Sequence, residues 1–190
     1  LEKAGATLIE IGIPFSDPIA EGPTIQDANV RALKNKVTTD DVFNMVKKVR
    51  EKTQIPLCFM TYLNVVFHYG YDRFFKKCQV VGLDGIILPD LPYEETKEVS
   101  SVCTKYDVTL ISMIAPTSKE RVEMIAREAK GFIYLVSSMG VTGTRSSSNF
   151  SDSLPEIIDH IKKVTDTPVA IGFGINTAKQ VQNFYRYADG

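Results

Sequence analysis

The sequence predicts an α/β fold built around parallel strands, and three observations carry that prediction. Short runs rich in Ile and Val alternate with longer, charged stretches of helical period along the whole chain. Most of these runs are continuously apolar, as strands covered on both faces require. Polar and glycine-rich residues gather after nearly every run. The first two observations set the class. The third separates two architectures within it. An open doubly wound sheet concentrates its functional residues at one switch point, whereas a (β/α) barrel builds its site from many loops on one rim. A barrel is the expectation.

The elements follow in order. Residues 1–4 read as the end of a helix, and 7–13 as a strand that is apolar except for Glu10. Residues 39–52 form an amphipathic helix. Thr39 and Asp40 are good caps for it, and the acids Asp40 and Asp41 lie where the helix dipole favours negative charge. Strand 56–62 is followed by helix 72–81, strand 84–89 by helix 94–106, and strand 109–115 by helix 118–130, with Ser118 as its cap. Strand 131–137 precedes helix 153–163, and strand 168–174 precedes helix 177–187. The longest irregular stretch, 138–151, is rich in Gly and Ser; a loop of that length in a compact domain is a lid, a binding loop or disordered. With no internal repeat and no linker, residues 1–190 read as a single (β/α)-barrel domain.

Composition removes several function classes. A net charge of −1 over 190 residues gives no electrostatic footprint for nucleic acid or an anionic membrane. No apolar run approaches the ~20 residues of a membrane span. Cys58, Cys78 and Cys103 are odd in number and share no close spacing, which argues against a disulfide framework or a zinc cluster and fits a cytoplasmic protein. His68 and His160 have no carboxylate or thiol at ligand spacing and read as surface or helix-end residues, so no metal site is expected.

The segment richest in chemistry runs Ile9-Glu10-Ile11-Gly12-Ile13-Pro14-Phe15-Ser16-Asp17-Pro18-Ile19-Ala20-Glu21-Gly22-Pro23-Thr24. Glu10 lies inside an apolar strand. Burial would raise its pKa towards neutrality, the state a general acid/base needs; a salt bridge to a neighbouring strand is the competing reading. Asp17 and Glu21 sit among Pro and Gly, where acids are normally solvated turn residues. Tyr134, within a strand, reads by default as core. Gly143 and Gly174 close glycine-containing loops that let backbone N–H groups approach an anion, but glycines there suit tight turns equally well.

This segment resembles the signature of tryptophan synthase α chains. The likeness continues through Thr61-Tyr62-Leu63-Asn64, Asp84-Gly85, Asp90-Leu91-Pro92, residues 137–143 and Gly172-Phe173-Gly174-Ile175. It implies a TIM (β/α)8 barrel of which this chain holds strands 2–7 and lacks strands 1 and 8. It also implies a lyase of tryptophan biosynthesis, working without a cofactor and paired with a tryptophan synthase β chain in an α2β2 tetramer. The implied reaction is retro-aldol cleavage of indole-3-glycerol phosphate to indole and glyceraldehyde 3-phosphate. By the same resemblance Glu10 is the acid that moves a proton to indole C3, and Glu21 stabilises positive charge on the ring nitrogen and takes its proton. The family usually has Asp at the second position, so Glu21 adds a methylene. Tyr134, Thr142, Gly143, Phe173 and Gly174 match its substrate and phosphate contacts, with Thr142 on the lid. Without strands 1 and 8 the expectation is a chain that exposes strand edges, associates and does not turn over, leaving as the alternative a silent binding partner of the β chain.

Overall fold

The computed structural model describes residues 1–116, 119–137 and 154–190, which divide into two compact units, Leu1–Leu110 and Ile111–Gly190. The first opens on a 3-10 turn, Glu2–Ala4, and then strand β1, Ile9–Gly12. Helices α1 (Pro23–Lys34) and α2 (Thr39–Arg50) lead to β2 (Leu57–Met60). Helices α3 (Leu63–Tyr69) and α4 (Tyr71–Val81) lead to β3 (Gly85–Ile87). A 3-10 turn, Tyr93–Glu95, and α5 (Thr96–Lys105) lead to β4 (Thr109–Leu110). All pairings are parallel, and the sheet order is β1-β2-β3-β4.

The second unit repeats the scheme. Strand β5 (Ser112–Ile114) precedes α6 (Lys119–Glu128), β6 (Ile133–Val136) precedes α7 (Leu154–Lys162), and β7 (Val169–Gly172) precedes α8 (Ala178–Phe184). The order is β5-β6-β7, again parallel. In both sheets neighbours in space are neighbours in sequence. A doubly wound sheet needs a reversal of order, and neither sheet contains one. This is the winding of a (β/α) barrel. Asp189 and Gly190 run beside β7, their N–H groups donating to Val169 and the Gly190 carbonyl accepting from Ile171.

All six strands expected from apolar runs are present, the fourth divided at Ile111. Two helices, α1 and α3, occupy stretches to which the pattern assigned none. The cap of α2 lies one residue earlier than expected: Thr38 accepts from the Asp41 N–H, and the Asp41 carboxylate accepts from the Thr38 N–H. Ser118 lies outside the described residues.

The core of the first unit is aromatic. Phe43 of α2 and Phe74 of α4 pack edge-on at 5.2 Å, and Phe43 meets Phe59 of β2 at 5.4 Å, all three fully buried. Leu57, Phe59 and Ile86 turn their side chains to this cluster, with Ile9 and Ile11 packed at its margin. The intervening strand residues face the opposite side of the sheet. Two-sided burial holds for β2, β3 and β6, whereas β1 and β7 alternate.

Candidate functional site

Alternation along β1 decides where Glu10 sits. Ile9 and Ile11 belong to the helix-covered face, so Glu10 lies on the other, in register with Cys58 of β2. Glu10 is exposed as a residue, which corrects the expectation of a fully buried carboxylate: β1 is covered on one face only. Protein around the carboxyl still withholds enough water to raise its pKa above the ordinary range by desolvation. Among the described residues no salt bridge holds Glu10, so the competing structural reading loses its partner.

Glu21 ends the loop after β1 and abuts α1, where Pro23 stands at the first turn. It is half-buried, and desolvation raises its pKa against hydrogen bonds from Asn29 and Tyr62 that lower it. The Asn29 amide donates to Oε2 at 2.9 Å, and the Gln26 amide donates to the Glu21 carbonyl at 2.9 Å. Tyr62, 2% exposed, stands at the end of β2 and accepts the N–H groups of Ile19 (3.0 Å) and Ala20 (2.9 Å) on its hydroxyl. Its ring meets Phe15 at 5.2 Å. The loop bearing Glu21 is thus stapled to β2 at both ends. Asp17 is exposed, and Ser16 donates to it.

Two quoted motifs are scaffold. Asp90 accepts the Leu63 N–H at 2.8 Å, tying the chain after β3 to the start of α3. Asp84 accepts the Leu57 N–H at 2.8 Å and pairs with Arg50, whose guanidinium also donates to the carbonyls of Gly82 and Ile55.

In the second unit Tyr134 is 6% exposed, aligned between Met113 and Ala170. Its phenol end lies over Gly172: a β-carbon there would fall 2.0 Å from Cζ and 2.1 Å from the hydroxyl oxygen. Gly172 is therefore glycine to make room for Tyr134, a partnership that no local sequence signal reveals. Phe173 and Gly174 follow with φ of 75° and 66°. A left-handed phenylalanine is costly, on the order of 1–3 kcal/mol, so its neighbours must hold it. Ser137 donates both its hydroxyl, to the Phe173 carbonyl, and its N–H, to the Gly172 carbonyl. Thr142 and Gly143, with the rest of 138–151, lie outside the described residues.

The histidines differ. His68 is exposed in the last turn of α3. His160 is half-buried, its Nδ1 3.8 Å from Glu123 and without a hydrogen-bond partner among the described residues. The three cysteines are buried and free, their thiols held well above the ordinary range by desolvation. Among the described residues no helix is long and apolar enough to cross a membrane.

Comparison with known proteins places these features in a family. The family model described as tryptophan synthase alpha chain matches residues 1–190. Tryptophan synthase alpha chains of Lacticaseibacillus casei and Alkaliphilus metalliredigens are 48% and 46% identical over the whole of this chain and 71% of their own length. The solved tryptophan synthase subunit alpha of Campylobacter jejuni is similar with a TM-score of 0.84 and 38% identity, over 97% of this chain and 73% of its own. A structure of the tryptophan synthase α2β2 complex of Pyrococcus furiosus is similar with a TM-score of 0.87 and 32% identity, over 98% of this chain and 75% of its own. With parallel strands wound in chain order and a family match from end to end, this chain belongs to the tryptophan synthase alpha chain family, α/β proteins of the TIM-barrel class.

Proposed function

We propose that the chain carries out the α reaction of tryptophan biosynthesis, the retro-aldol cleavage of indole-3-glycerol phosphate to indole and glyceraldehyde 3-phosphate. One observation carries the reading: within one unit, the end of β1 and the loop after it present two carboxyls, Glu10 and Glu21, both with raised pKa. Cleavage needs indole C3 protonated, so that the ring can accept the electron pair of the breaking carbon–carbon bond. Glu10 delivers that proton and helps take one from the glycerol hydroxyl, a task suited to a carboxyl whose pKa is raised by desolvation. Glu21 supports positive charge on the ring nitrogen as an anion, takes its proton, and returns it as the ring accepts the electron pair of the broken bond. Hydrogen bonds from Asn29 and Tyr62 favour its ionised form. Tyr134 and Phe173 contact the substrate and the Gly174 N–H meets its phosphate end; the family resemblance adds Thr142 and Gly143 as contacts. The residues form one catalytic domain that needs no cofactor, works in the cytoplasm and assembles with a tryptophan synthase β chain, as its relative in Pyrococcus furiosus does in an α2β2 complex.

The test is turnover of indole-3-glycerol phosphate with the β chain present. Glu10→Gln should lower kcat at least a hundredfold, the lower range for a lost general acid/base. Glu21→Asp should retain activity, and Glu21→Ala should lose it. Near-normal turnover by Glu10→Gln, or equal rates in all three Glu21 forms, would remove the assignment.

A further inference from the structure

Ser137, one residue beyond β6, has no place in the chemistry above, yet it governs the turn after β7. The peptide between Phe173 and Gly174 is planar, so its carbonyl and the Gly174 N–H point in opposite directions. The Ser137 hydroxyl donates to that carbonyl, and the Ser137 N–H donates to the preceding carbonyl, Gly172, at 3.0 Å. On the other side Gln180 of α8 reaches the Gly174 carbonyl at 3.4 Å, while its oxygen accepts from Asn176 and Thr177. Three successive carbonyls are thereby drawn to protein donors. Gly174 is exposed, and nothing lies within 4 Å of where its β-carbon would stand. Its N–H meets no acceptor among the described residues. The left-handed Phe173 is the cost of this arrangement, because an extended residue there would rotate the same peptide away.

We propose that Ser137 is a positioning residue: by holding the Phe173 carbonyl it aims the Gly174 N–H outward at the phosphate of a small phosphomonoester. This rests on the reading of Gly174 as a phosphate contact. Calorimetry with glycerol 3-phosphate, and with glycerol as the uncharged control, tests it on the full chain and on Ser137→Ala and Ser137→Thr. NMR of the Phe173 and Gly174 backbone is recorded on the same samples. Ser137→Ala should bind glycerol 3-phosphate about tenfold more weakly, as one lost hydrogen bond predicts. It should still fold cooperatively, and Phe173 should lose its left-handed carbon shifts. Ser137→Thr, which keeps the hydroxyl, should match the parent. Parental affinity in Ser137→Ala, or an equal loss in Ser137→Thr, overturns the proposal. If the parent binds no glycerol 3-phosphate, the phosphate reading fails by itself. The backbone shifts then decide on Ser137 alone, and their persistence in Ser137→Ala overturns its holding role.

Discussion

Tyr62 serves three partners with one hydroxyl. A phenolic hydroxyl has two lone pairs and one proton. The N–H groups of Ile19 and Ala20 take the lone pairs, which leaves the proton for Glu21, the carboxylate it also touches. The residue that anchors the loop therefore also favours the ionised form of Glu21. Tyr62→Phe keeps the ring and its contact with Phe15 but strips the loop of both anchors. It should destabilise the chain by about 1–3 kcal/mol, the range for unsatisfied polar groups. More diagnostic is the pH–rate profile. Losing a hydrogen bond to the ionised form raises the Glu21 pKa further, so the acid limb should move to higher pH. A profile that merely scales down, with its limb in place, would deny Tyr62 the tuning role.

At the scale of elements, β7 shows how one position fixes several others. A methyl at residue 172 would sit 2.0 Å from the Tyr134 ring, far inside a contact distance of about 3.5 Å. Gly172→Ala should then cost about 1–3 kcal/mol as overpacking and displace Phe173 and Gly174 with it. In a Tyr134→Ala background the same change should cost little, and denaturant titration of the four forms gives the coupling. Equal costs in both backgrounds would separate the two residues. The sequence announced some of these elements and hid others for physical reasons. Buried strands such as β2 and β6 are legible because their apolar runs have no polar interruption. Helix α1 escapes the strand–helix alternation because it is a second helix between β1 and β2, and it buries no residue, with Ile25, Val30 and Leu33 exposed. Helix α3 was missed because Leu63, Val65, Val66 and Phe67 are too densely apolar to show a period. Glu10 stands out as an acid within an apolar strand, whereas Glu21, among Pro and Gly, is marked only by the family resemblance. Tyr62, Asn29, Gly172 and Ser137 act through partners that only folding brings near.

For the molecule as a whole, the titrating groups fall into two sets of opposite sign. Asp40, Asp41, Asp72 and Asp189 have lowered pKa, from hydrogen bonds with Lys77, Thr38, Lys105 and Lys162 respectively. Their contribution to stability is present above the ordinary value of 3.8 and is lost as pH falls through their folded values. Glu10 and Glu21 have raised pKa. Their contribution is present below the ordinary value of 4.5 and is lost as pH rises through their folded values. Acidifying from neutrality should therefore first stabilise the chain, as the two glutamates protonate, and then destabilise it, as the four aspartates do. The urea midpoint should peak on the acid side of neutrality. In the double variant Glu10→Gln, Glu21→Gln the initial rise should vanish while the fall at lower pH remains. Salt separates the causes further. Asp40, Asp72 and Asp189 pair with lysines, and 1 M salt shortens their electrostatic reach to about 3 Å, so the acid fall should flatten in part. The glutamate rise comes from desolvation, which salt does not screen, and should persist. A midpoint that declines steadily from pH 7 to 4, in parallel for parent and double variant, would show that neither carboxyl is held in a desolvated site, and the acid role given to Glu10 would lose its physical basis.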